Sequence, residues 1–160
     1  MTTANAARQQ ANIDEAVLLR SFDQLERALS EKGNENSAEW AEVLRTRLSD
    51  VESALARHQN SAVASENPAE EQRSRSNIPA TIERRWDKLR QATQNLLRRV
   101  QDLRQRAECA AQGRAARNQG CEVVELEQAI AELIPALRDL KAREQALLAD
   151  NVTLEVGVGD

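Results

Sequence analysis

From Ile82 to Ala110 the chain places an apolar or small residue at every fourth and then every third position: Ile82, Trp86, Leu89, Thr93, Leu96, Val100, Leu103, Ala107 and Ala110. A four–three alternation held over nine positions draws one stripe along an α-helix, the heptad pattern of helices that pack side by side. A lone helix leaves such a stripe in water, so the rest of the chain must supply partners for it. The aromatic content is 2% (Phe22, Trp40, Trp86). The core shared with those partners is therefore built from Leu, Val, Ile and Ala, as helix bundles are.

Three further segments carry matching stripes. Residues 11–32 place Leu18, Phe22, Leu25 and Leu29 on one face, and Gly33 then ends the helix. Asn36 with Glu39 reads as a capping box that opens a second helix to about residue 62, with Leu44, Leu48, Val51, Leu55, His58 and Ala62 on its stripe. The heptad helix itself spans 79–112, with Pro79 in its first turn. Gly113 and Gly120 bracket a short loop before a fourth helix over 121–150, striped with Leu126, Ile130, Leu133, Leu137, Leu140, Glu144 and Leu147. Pro135 inside it removes one backbone hydrogen bond and predicts a kink.

The text of 63–78, rich in Ser, Asn and unpatterned charge, reads as a mobile connection. Residues 1–10 read as a flexible N-terminal tail and 151–160 as a C-terminal tail, where alternating Val152, Leu154, Val156 and Val158 suit an extended strand. Together these elements predict an all-α fold, an antiparallel up-down-up-down four-helix bundle over 11–150, in preference to a two-stranded coiled-coil dimer. A chain of 160 residues suits one such core.

Neither a signal peptide nor a run of about 18 apolar residues is present, so the expectation is a cytoplasmic protein without a membrane segment. Cys109 and Cys121 are then reduced thiols by default. A hairpin closing at 113–120 brings them near enough to be considered as a redox pair.

Charge is segregated along the chain. Residues 73–117 hold 12 basic and 4 acidic side chains, a net of +8, while 1–72 and 118–160 each carry −6. The third helix is thus a basic rod among acidic ones, and Arg84, Arg85, Lys88, Arg98 and Arg99 are the candidate interaction face. Nucleic-acid binding through this helix is the lesser reading, because no aromatic residues interleave the basic ones and the overall charge is −4. Acidic helices close by are positioned to offset the positive charge.

His58 is the only histidine. Catalytic triads and histidine-rich metal sites need partners the chain lacks, and no His-Glu-x-x-His, Cys-x-x-Cys or glycine-rich phosphate loop occurs. These absences predict a protein with no catalytic residues, no metal and no cofactor. Glu144 is the other ionisable residue on a core stripe, so His58 and Glu144 are a candidate buried pair and the weak candidates for a metal, with Glu52 as a second carboxylate.

Four helices, an inward His58 near the end of the second, a mobile segment after it, and an ending from Glu144-Gln145-Ala146-Leu147-Leu148-Ala149-Asp150 to Gly157-Val158-Gly159-Asp160 together resemble the hemerythrin-like, HHE cation-binding bundles, across roughly 11–150. In that family histidines and bridging carboxylates hold a di-iron centre, with a His-x-x-x-Glu step on the second helix. His58 corresponds to the histidine of that step, but Ala62 stands where the carboxylate belongs. Arg84, Arg85 and Lys88 on the third helix, and Lys141 and Glu144 on the fourth, stand where histidine ligands are expected. The resemblance implies the bundle topology with a degenerate metal site.

Three functions follow as expectations. The first is a non-catalytic bundle acting as a protein-interaction or structural module, on an unidentified protein partner or on itself. The second is a metal or small-ligand sensor with a reduced site at His58 and Glu144, and the third is nucleic-acid binding.

Overall fold

The computed structural model describes residues 2–31, 37–64, 80–113 and 119–156. They form four α-helices and, among the described residues, no strand: α1 (Thr2–Ser30), α2 (Ser37–Ala64), α3 (Ala80–Ala111) and α4 (Gln119–Val156). Each helix packs on its neighbour in sequence, and α4 closes the ring against α1 along the thinnest of the four seams. Cross-helix pairs run in opposite senses at the seams. Gln24 meets Arg47 while Ala28 meets Trp40, and Glu132 meets Arg99 while Glu125 meets Arg106. The molecule is the antiparallel four-helix bundle that the stripes predict.

The stripes are the core. Leu18, Phe22 and Leu25 of α1, Leu44, Leu48, Val51 and Leu55 of α2, Val100, Leu103 and Ala107 of α3, and Leu126, Ile130, Leu133 and Leu137 of α4 are all buried in one continuous cluster. Each such leucine removed from water contributes roughly 1.5–3 kcal/mol before chain entropy is charged against it. A smaller second cluster joins Leu89 to Leu140 and Leu147, with Trp86 and Leu96 against it, and belongs to α3 and α4 alone. At the other end of the bundle the buried indole of Trp40 donates to the carbonyl of Ala28 at 3.2 Å. That carbonyl lies in the last turn of α1, where intrahelical donors run out.

Several boundaries differ from the sequence expectation. Residues 2–10, expected as a flexible tail, are the first turns of α1. Ala4, Ala6, Ala7, Gln9 and Gln10 are good helix formers, and intrinsic propensity extends the helix where no apolar face requires it. Residues 151–156, expected to lie extended, continue α4. Adding residues to an existing helix is cheap, and Val152 and Thr153 lose only a few tenths of a kcal/mol there (~0.5). Val63 and Ala64 belong to α2, not to the connection, while 65–79 fall outside the described residues. So do Gly33 and Asn36, with the helix stop and cap expected of them.

Gly113 carries the one positive φ among the described residues, 65°, at the C-terminal cap of α3. Gly120 lies inside α4 rather than in the loop it was expected to close. α4 passes through Pro135 as one helix, and Pro135 is exposed. The carbonyl of Ala131, deprived of its donor, is on the side where water replaces it.

Candidate functional site

Three helices meet at an ionic layer between the main core and the open end of the bundle. Lys141 and Glu144, three residues apart on α4, face the same side, and Lys141 Nζ donates to Glu144 Oε2 at 2.9 Å. The same ammonium lies 3.1 Å from Glu15 Oε1 of α1. From α2, His58 Nε2 lies 2.8 and 3.1 Å from the two oxygens of Glu144. An ionised Glu144 only accepts, so the histidine proton sits on Nε2. The contact spans the diagonal of the bundle, since α2 and α4 are not neighbours in the ring.

Burial makes these contacts matter. The Lys141 side chain is 7% exposed, Glu144 17% and His58 18%. Burial pushes the Glu144 carboxyl up, but hydrogen bonds from His58 and Lys141, together with their charges, outweigh it and hold the group below its ordinary 4.5. An ammonium between two carboxylates offsets one of their two charges from within. A divalent cation would have to displace Lys141 or share its space against its charge.

The expected pairing of His58 with Glu144 is thus present, but Glu52 is elsewhere. It accepts from Gln101 at 3.1 Å and lies 2.7 Å from Arg104 Nε, on the α2–α3 seam. The Arg104 N–H is not aimed along that contact, so charge rather than a hydrogen bond holds the pair. Among the described residues no three His, Cys, Asp or Glu side chains converge as a metal site. Lys141 and Glu15 are the members of the layer that the sequence did not single out as partners. Lys141 stands one turn before Glu144 on a striped face, and Glu15 stands one heptad before Phe22 on the α1 stripe, so both signals were readable in the sequence.

The basic residues of α3 divide in two. Arg85 pairs with Asp150 at 2.7 Å and Arg99 with Glu132 at 3.6 Å, while Arg106 reaches Glu125 at 4.0 Å. These side chains reach across to α4. Arg84, Lys88 and Arg98 are exposed, and no carboxylate pairs with them among the described residues. The expected interaction face therefore keeps Arg84, Lys88 and Arg98, while Arg85 and Arg99 belong to the seam. Cys109 is an exposed free thiol, and the side chain of Cys121 lies outside the described residues, as does any pairing between the two.

Fold and geometry define the class: an all-α four-helix bundle with a partly buried ionic layer inside it. No family model, curated protein or solved structure matches the chain.

Proposed function

We propose that the protein is a non-catalytic, cytoplasmic interaction module that binds a protein partner through the outer face of α3. The observation that carries this reading is the line Arg84, Lys88 and Arg98, exposed and without carboxylate partners among the described residues, while neighbouring arginines are paired, Arg85, Arg99 and Arg104 across seams and Arg90 with Asp87 of its own helix. Gln91 and Asn95 continue the same line between them, so a polar stripe about 21 Å long runs along one side of the rod. Three free cations favour an acidic partner surface. They are too few for the steeply salt-dependent grip of a nucleic-acid binder, which neutralises about 6–10 phosphates.

Protein carrying an affinity tag in its native host should co-purify a partner in stoichiometric amount. The R84E/K88E/R98E variant should lose that partner while its helical circular dichroism is unchanged. Recovery of the same partner by both forms, or a turnover that depends on core side chains, would overturn the reading.

The competing reading, a metal or small-ligand sensor of hemerythrin-like descent, draws on the contact between His58 and Glu144. The Lys141 ammonium on the same carboxylate argues against it. Iron bound near stoichiometry by protein purified under reducing conditions, and lost in His58→Ala, would restore it.

A further inference from the structure

The stripes that build the core repeat leucine at intervals of seven. On α4 it recurs as Leu126, Leu133, Leu140 and Leu147, and Leu18 is followed seven residues on by Leu25 on α1, as Leu48 is by Leu55 on α2. Seven residues are two helical turns, so sliding one such helix along another by about 10 Å returns a leucine to a leucine's place. Apolar packing alone therefore distinguishes poorly between the native register and its neighbours one heptad away.

The connections leave one such slide open. Residues 31–36 join α1 to α2 and 112–118 join α3 to α4, whereas 65–79 join α2 to α3. A connection of that last length can span roughly 50 Å, so it does not hold the two hairpins in one register. The second apolar cluster, Leu89 with Leu140 and Leu147, lies within the α3–α4 hairpin and travels with it.

The ionic layer does not travel, because it joins the hairpins to each other. Lys141 of α4 lies 3.1 Å from Glu15 of α1, and Glu144 of α4 lies 2.8 Å from His58 of α2. A slide of one heptad into the main core would set Lys141 beside Phe22 and Glu144 beside Val51, both fully buried. A slide the other way would set Ile134 against Glu15 and Leu137 against His58. Each leaves charged groups facing side chains that cannot answer them.

The other ion pairs that join the hairpins among the described residues mark the register less strongly. Arg138 meets Asp23 and Glu26 in solvent, where such pairs are worth little. Arg104 with Glu52, half-buried on the α2–α3 seam, is the rival marker.

We infer that the ionic layer is a register lock, which holds the α3–α4 hairpin against the α1–α2 hairpin at one of several heptad positions that the leucines alone leave nearly equivalent. The lock is separate from the α3 stripe, and neither depends on the other.

The test places spin labels through T46C on α2 and Q94C on α3, both exposed positions, in a C109A/C121A background, and reads their separation by double electron–electron resonance. With the layer intact one distance is expected. E15Q/H58L/K141M/E144L, its helical circular dichroism unchanged, should show a second distance displaced by up to about 10 Å. R104Q/R138Q, which removes the other ion pairs between the hairpins, should keep the single native distance. One unshifted distance in the fourfold variant would overturn the lock. So would its failure to fold, which would make the layer a support of the fold and not a choice among registers. Two distances in R104Q/R138Q would overturn it as well, by passing the role to the seam pairs.

Discussion

Lys141 is the residue on which the ionic layer turns. It is 7% exposed and answers two carboxylates, Glu15 and Glu144, so removing it strands acidic charge against a largely dry interior. Lys141→Ala should cost about 3 kcal/mol in urea unfolding, within the range for breaking a buried pair. Replacing all four together, as E15Q/H58L/K141M/E144L, should cost less than that single change, because no unpaired charge is left behind. Glu144 adds a pH signature. Its folded value lies below 4.5, so the stabilisation linked to it is fully present above 4.5 and is lost as the pH falls through the depressed value. Unfolding midpoints between pH 7 and pH 3 should therefore fall with acid in the native protein, and fall less in Glu144→Gln. An equal acid dependence in both would show that the layer does not hold this carboxylate ionised.

At the scale of the element, α4 carries a cost that the other helices do not. Pro135 removes one rung of its hydrogen-bond ladder, and because the residue is exposed no core contact repays it. Pro135→Ala should raise stability by about 1–3 kcal/mol, read as a higher thermal midpoint by circular dichroism. A lower midpoint would mean that the proline shapes the helix to fit its neighbours.

The elements were largely legible in the sequence because their apolar periods are regular. Every stripe residue from Leu44 to Leu55 and from Leu126 to Leu137 lies in the core. What periodicity could not show is helix held by propensity alone, at residues 2–10, or helix carried forward from a packed segment, at 151–156. Nor does a stripe give the register between helices. His58 and Glu144 were candidates from their positions, but Glu52 sits on the neighbouring face of α2, turned towards α3 and away from where a shared site needs it. The division of the α3 arginines between seam and solvent is likewise a matter of rotation about the helix axis, which only the packing fixes.

Across the whole molecule the packing is uneven. The main cluster begins on α1 at Leu18, and of the residues before Asp14 those whose side chains are described are exposed or, at Ala11, partly so. In hydrogen exchange the amides of residues 5–13 should exchange first, and those of Leu44–Leu55 and Leu126–Leu137 last, near the rate of global unfolding. Uniform protection along α1 would contradict the packing.

The seam pairs have a consequence apart from stability. A ring of four alternating helices can wind about its axis in either hand, and an apolar stripe is nearly indifferent between the two. Reversing the hand exchanges the left and right neighbours of every helix. Arg104 would then turn from Glu52 on α2 towards α4, while Arg99 and Arg106 would turn from the acids of α4 towards α2. Ion pairs worth little each as bonds thus act together as a chirality code, which penalises the mirror-wound bundle more than it stabilises the native one.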